Sequence, residues 1–134
     1  MAKKLISECF WAYGAKQENV QWSVSAWTDD GSLVVSLWSH HKSEPEPGVW
    51  VFEDRFDRWS GPGNSEFRRN VGEAFERDAV LRLVLAKTSE VSRVQRGDDV
   101  NTIAKTFSVR PEWVGRVTHA YERSYRIEFR YQAE

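Results

Sequence analysis

The stretch "SEFRRNVGEAFERDAVLRLVLAKT", residues 65–88, sets the fold class, because its hydrophobic period changes halfway along. Phe67, Val71, Ala74 and Phe75 recur at i, i+4, i+7 and i+8, one apolar stripe, and predict a helix over 65–77. Glu66 lies in its first turn, and Glu73 precedes Arg77 by four residues, a spacing that pairs opposite charges on a helix surface. Gly72 falls inside the helix, where it lowers stability, so close packing against a neighbour is expected there. "VLRLVLAKT" (80–88) then becomes almost continuously apolar and reads as a central strand.

Upstream, "NVQWSVSAW" (19–27) alternates, with Val20, Trp22, Val24 and Ala26 on one face. "TDDGS" (28–32) carries the Asp-Gly chemistry of a tight hairpin, and "LVVSLWSH" (33–40) returns from it. "HKSEPEPG" (41–48) reads as a polar loop, "VWVFED" (49–54) as another strand, and residues 4–13 as a further candidate strand. Downstream, Val100, Ile103, Ala104 and Phe107 predict a second helix over 99–107, capped by Asp98 or Asp99. A hairpin closes the chain: "EWVGRVTHAY" (112–121) turns through "ERS" into "YRIEFRYQ" (125–132). Tyr125, Ile127, Phe129 and Tyr131 fall on one face, and Arg126, Glu128 and Arg130 on the other. The expectation is a single α+β domain over 1–134: a curved, mostly antiparallel sheet of five to seven strands with two helices.

Composition narrows the function classes. With 19 basic and 20 acidic residues the formal net charge is −1, so no bulk attraction to polyanions is expected, and any anion site must be local. Seven tryptophans are present, and lysine is confined to positions 3, 4, 16, 42, 87 and 105, leaving arginine as the main cation. Arginine suits bidentate and stacking recognition. Cys9 is the only cysteine, which excludes an intrachain disulfide and a cysteine-based zinc site. Lys3 and Lys4 precede "LISECFWAYGA", an apolar run interrupted by Glu8 and too short for a secretory signal; no run reaches membrane-spanning length. A cytoplasmic location is the expectation.

The catalytic and metal searches find little. His40 and His41 are adjacent and would point to opposite faces of a strand, and His119 stands alone. Glu53, Asp54 and Asp57 form an acidic cluster that could serve acid–base chemistry or hold Mg²⁺, yet Arg55 and Arg58 interleave with them as in an ion-pair network. We expect no catalytic residue, metal or cofactor.

"RWSGPGN" (58–64) is the richest candidate. Pro62-Gly63 favours a type II turn, Gly61 supplies backbone freedom, and Asn64 or Ser65 can cap the helix that follows. A helix start offers unpaired N–H groups to an anion. Arg58, Arg68 and Arg69 stand near it to grip phosphate, while Trp59, with Trp38 or Trp50, offers a flat wall for a base.

Residues 49–88 resemble the N-terminal modified-cytosine-binding domain of McrA-type restriction proteins. The likeness is carried by Glu53 or Asp54 ending a strand, Trp59, Gly61-Pro62-Gly63, Asn64, Glu66-Phe67 opening a helix, and the hydrophobic strand beyond. The resemblance implies that Trp59, Gly61, Pro62, Gly63 and Asn64 contribute to a site that grips modified DNA. Ser60 is inserted relative to that pattern, the residues between the GPG and the asparagine are missing, and no HNH nuclease segment follows. "RVQRGDDVNTIAKTFSVRPEWV" (93–114) is similar to the opening of a LysM module, but the same residues satisfy any capped helix, and we read them so. The expected function is a small non-catalytic module binding nucleic acid, with modified or unstacked DNA as the specific expectation, without membrane contact. The alternatives are a protein-interaction domain that anchors through exposed aromatics, including as a homodimer, and a small enzyme built on Glu53, Asp54 or Asp57.

Overall fold

Residues 65–88 adopt the two elements read from them. In the computed structural model, which describes residues 5–132, helix α2 spans Pro62–Arg77 and strand β5 spans Leu81–Lys87. The helix starts earlier than the sequence suggests. Pro62 occupies its first position, where a preset φ favours the turn, and Gly61 caps it with φ 113°, a value open to glycine. Pro62-Gly63 is therefore not a type II turn, and Asn64 is not the cap. Asp78 ends α2 in the left-handed conformation, and Ala79 N returns to Ala74 O.

The rest of the chain supplies helices α1 (Ile6–Ala12) and α3 (Val91–Gln95), and strands β1 (Ser25–Trp27), β2 (Leu33–Trp38), β3 (Lys42–Glu46), β4 (Val49–Arg55), β6 (Thr106–Tyr121) and β7 (Ser124–Tyr131). Together with β5 these strands form one open sheet in the order β1-β2-β5-β6-β7-β4-β3. All its pairings are antiparallel except β2 with β5. The architecture is α+β, and the expected central strand is interior. Among the described residues no helix is long and apolar enough to cross a membrane.

Each face of the sheet carries a helix. Phe67, Val71 and Ala74 of α2 pack on Leu33, Leu81, Leu83, Ile127 and Phe129, the inward faces of β2, β5 and β7. Phe75, the fourth member of the expected stripe, is instead 43% exposed. On the opposite face, Cys9 and Phe10 of α1 pack on Ala26, Val34 and Val84. The terminal hairpin keeps the predicted alternation, with Tyr125, Ile127 and Phe129 buried. Gly115 lets β6 pass over the Phe129 ring, which would lie 2.6 Å from an added Cβ.

Four expectations are corrected. The predicted helix over 99–107 does not form: Val100–Thr102 is a single 3-10 turn, and Thr106 onward joins β6. Phe107, Ser108 and Val109 alternate as well as they repeat, and pairing with Ala86, Leu85 and Val84 supplies the hydrogen bonds that the edge of β5 would otherwise lack. Pro111, which cannot donate, sits where that ladder shifts register. Residues 6–12 are a helix, not a strand, its first turn closed by Glu8 Oε1 accepting from Leu5 N at 2.8 Å. Of 19–27 only Ser25–Trp27 is strand, because Asn19 turns the chain before it, accepting from Gln21 N through its side chain and from Ser23 N through its carbonyl. Lys42–Glu46, read as loop, is an edge strand.

Gly72 also departs from expectation: nothing lies within 4 Å of the position a Cβ would take. Gly72→Ala is therefore expected to stabilise the protein by about 1 kcal/mol, through helix propensity and a less flexible unfolded chain. A raised urea midpoint with an unchanged slope checks this.

Candidate functional site

β1 pairs only with Leu33–Val35, and beyond it the second half of β2 borders a cleft of 1040 Å³. Three further segments wall the cleft: residues 20–24, residues 58–63 at the start of α2, and residues 97–107. Its lining mixes aromatic and aliphatic side chains with polar and charged ones, among them Asp98, Asp99, Asn101 and Lys105. Trp38, Ala86 and Phe107 are in register across β2, β5 and β6 and present one flat row. Trp22 enters from the Asn19 turn and Trp59 from the glycine-rich loop, and all three tryptophans are part-exposed. Leu5 and Val20 stand at the rim, 64% and 65% exposed.

Glycine shapes this site through close approach. A Cβ on Gly63 would lie 2.5 Å from Trp22 O and 3.5 Å from Trp59 Cζ3, so the helix start, the Asn19 turn and the Trp59 ring share one contact. Gly97, at φ 79°, brings the chain after α3 against Arg58, whose carbonyl would lie 2.5 Å from a Cβ there.

A polar corner closes the cleft. Arg58 Nε donates to Asp54 Oδ2 at 2.7 Å and Nη1 to Val94 O at 2.6 Å; the two side chains are 12% and 11% exposed. His41 Nδ1 lies 3.8 Å from the same Asp54 oxygen. His40 and His41, held in a 3-10 turn, do not diverge: both direct Nε2 at Gln95 Oε1, at 3.0 and 2.6 Å. Burial holds the His41 imidazole below its ordinary range, against the pull of Gln95 and Asp54. Tyr125 lies opposite Asp54 in the β4–β7 ladder, its ring against Phe56 and Phe67. Burial, then the nearby Asp54 charge, keeps its phenol protonated far above the ordinary range.

The expected site residues divide. Arg58, Trp59, Gly61, Pro62 and Gly63 all line the cleft. Asn64 turns inward and donates to Phe56 O at 2.6 Å. Arg68 reaches the tip of the β6–β7 hairpin, donating to Glu122 O at 2.6 Å, with its guanidinium over the Phe56 ring. Arg69 faces Glu18 at 3.9 Å. The three arginines therefore do not converge on the α2 start. Trp50 is also elsewhere, stacked on Trp113 with ring centroids 3.7 Å apart, while Lys42 covers it. Trp22 and Tyr125 were not legible as site residues, since their alternation reads equally as strand.

The acidic cluster resolves into separate ion pairs: Asp54 with Arg58, Asp57 with Arg55 at 2.8 Å, and Glu53 with Arg126 at 3.9 Å. Among the described residues no group of three or more acidic, histidine or cysteine side chains could hold a metal ion.

No family model, curated protein or solved structure matches this chain. The McrA-like and LysM-like patterns therefore rest on their own residues alone.

Behind the cleft, α2 carries a buried carboxyl. Glu66 is 3% exposed, and its Oε1 has no hydrogen-bond partner. Burial raises its pKa above the usual carboxylate value; Ser23 opposes the shift, and the neighbouring Glu18 adds to it. The folded protein then holds this proton more tightly than the unfolded chain, so stability falls as pH rises from the ordinary glutamate value through the raised one. Glu66→Gln is expected to be more stable than wild type by about 1 kcal/mol at pH 7, with the gain fading toward pH 4. Thermal midpoints at the two pH values check the sign.

Proposed function

We propose that the protein is a small non-catalytic binding module whose cleft takes an unstacked nucleobase, modified bases included. The observation that carries this reading is that Trp22, Trp38 and Trp59, from three separate segments, all line one cleft of 1040 Å³ around the free edge of β2. Flat indole faces bind bases by stacking, worth about 1–3 kcal/mol per base, and the polar side chains between them orient the ligand.

The engaged arginines alter the expected character of binding. Arg68 already bonds a backbone carbonyl, Arg69 faces Glu18, and Arg58 is turned inward. Few phosphates are then neutralised, and affinity comes from the base. Intrinsic tryptophan fluorescence should report binding of single-stranded 12-mers and of duplexes carrying methylated or plain cytosine. The slope of log affinity on log salt should be shallower than about −2. Trp38→Ala should weaken binding about tenfold or more. Absence of binding to every oligonucleotide, or a Trp38→Ala variant that binds unchanged, would sink the proposal.

A second reading has its own observation. Leu5 and Val20 are 64% and 65% exposed, which suits an apolar side chain of a protein partner at the same rim. Leu5→Ser/Val20→Ser should abolish that mode and leave nucleobase stacking intact.

A further inference from the structure

We infer that the polar corner of the cleft is an oxygen-acceptor site, in which Arg58 Nη2 and Tyr125 Oη donate together to one carbonyl oxygen of the ligand. The inference rests on the proposed nucleobase reading and adds its specificity: keto bases above amino bases.

Three observations carry it. Arg58 spends Nε on Asp54 and Nη1 on Val94 O, which locks the guanidinium plane, and Nη2 has no protein acceptor among the described residues. The Tyr125 ring is held between Phe56 and Phe67 at 5.0 and 5.3 Å, the residue is 5% exposed, and its hydroxyl likewise has no protein partner among the described residues. Both residues line the cleft, and they share a corner because Tyr125 is the cross-strand partner of Asp54, to which Arg58 is bonded. A donor with no protein acceptor, held in a fixed position at a cleft wall, is open to an oxygen of an occupant.

The occupant's chemistry follows from the donor set. A carbonyl oxygen has two lone pairs and can take both hydrogens, whereas a ring nitrogen has one. Adenine also places its amino donor beside N1 and N7, where it would oppose the two protein donors. Asp54 already balances the Arg58 charge, so a neutral oxygen suits the corner better than a second anion. Stacking alone favours the larger purine, so a preference for thymine would come from the donors.

Calorimetry with thymidine and deoxyadenosine, and separately with oxindole and indole, tests this. Wild type is expected to bind thymidine over deoxyadenosine, and oxindole over indole, each by about tenfold. Tyr125→Phe, which keeps the packed ring, should abolish both preferences by weakening only the carbonyl ligands. If neither nucleoside binds while oxindole keeps its Tyr125-dependent advantage, the acceptor site stands and the nucleobase reading falls. If wild type shows no carbonyl preference in either pair, or if Tyr125→Phe retains it, the inference is overturned. Should Tyr125→Phe fail to fold, the wild-type preferences alone decide.

Discussion

Arg58→Met is expected to lower stability by about 3–5 kcal/mol. The methionine would fill much of the space but leave Asp54, 11% exposed, as an uncompensated charge and the Val94 carbonyl without its donor. Arg58 links β4, through Asp54, to α3, through Val94, so its loss should also loosen the wall formed by residues 97–107. Urea unfolding at pH 7 measures the loss. Adding Asp54→Asn to Arg58→Met should recover a substantial part of it, because the penalty lies in the stranded charge more than in the missing pair. A loss below about 1 kcal/mol would mean that the pair is solvated and that the guanidinium is not locked.

Gly63→Ala is expected to destabilise by about 2–3 kcal/mol, while Gly72→Ala, nine residues later on the same helix, stabilises. The difference is one of neighbours. A Cβ at position 63 meets the Trp22 carbonyl oxygen at 2.5 Å, and backbone cannot move aside by changing rotamer; a Cβ at position 72 meets nothing. Relief requires the Asn19 turn to lift from α2, which would carry the Trp22 indole with it. The variant should therefore change the tryptophan emission of the folded state as well as its urea midpoint. Equal midpoints for wild type and Gly63→Ala would show that this contact is not tight.

The loop at 58–64 stood out because glycine, proline and tryptophan rarely combine without a local reason, and five of the eight candidate residues do line the cleft. What failed was the destination of long side chains. Arg68 and Arg69 are adjacent in sequence, but the α2 axis sends one to Glu122 and the other to Glu18, partners from opposite ends of the chain. Trp38 and Trp50 were equal candidates from the strand pattern; only the register with Ala86 and Phe107 sets Trp38 in the cleft, and only the β6 crossing stacks Trp50 on Trp113.

Local chemistry alone determined the elements whose signals were unopposed: the body of α2, from its stripe; the β1–β2 hairpin, from Asp-Gly; the interior place of β5, from its apolar run; and the alternating faces of β7. Tertiary structure decided wherever one pattern fits two conformations. Residues 99–107 space their apolar groups as a helix would, yet they close on a single turn and continue as strand, because the edge of β5 demands hydrogen-bond partners that a helix could not supply. The cleft was decided in the same way. No two of its tryptophans lie on one element, and Arg58 and Tyr125, 67 positions apart in the chain, come to line the same cleft through the pairing of Asp54 with Tyr125 and of Arg58 with Asp54.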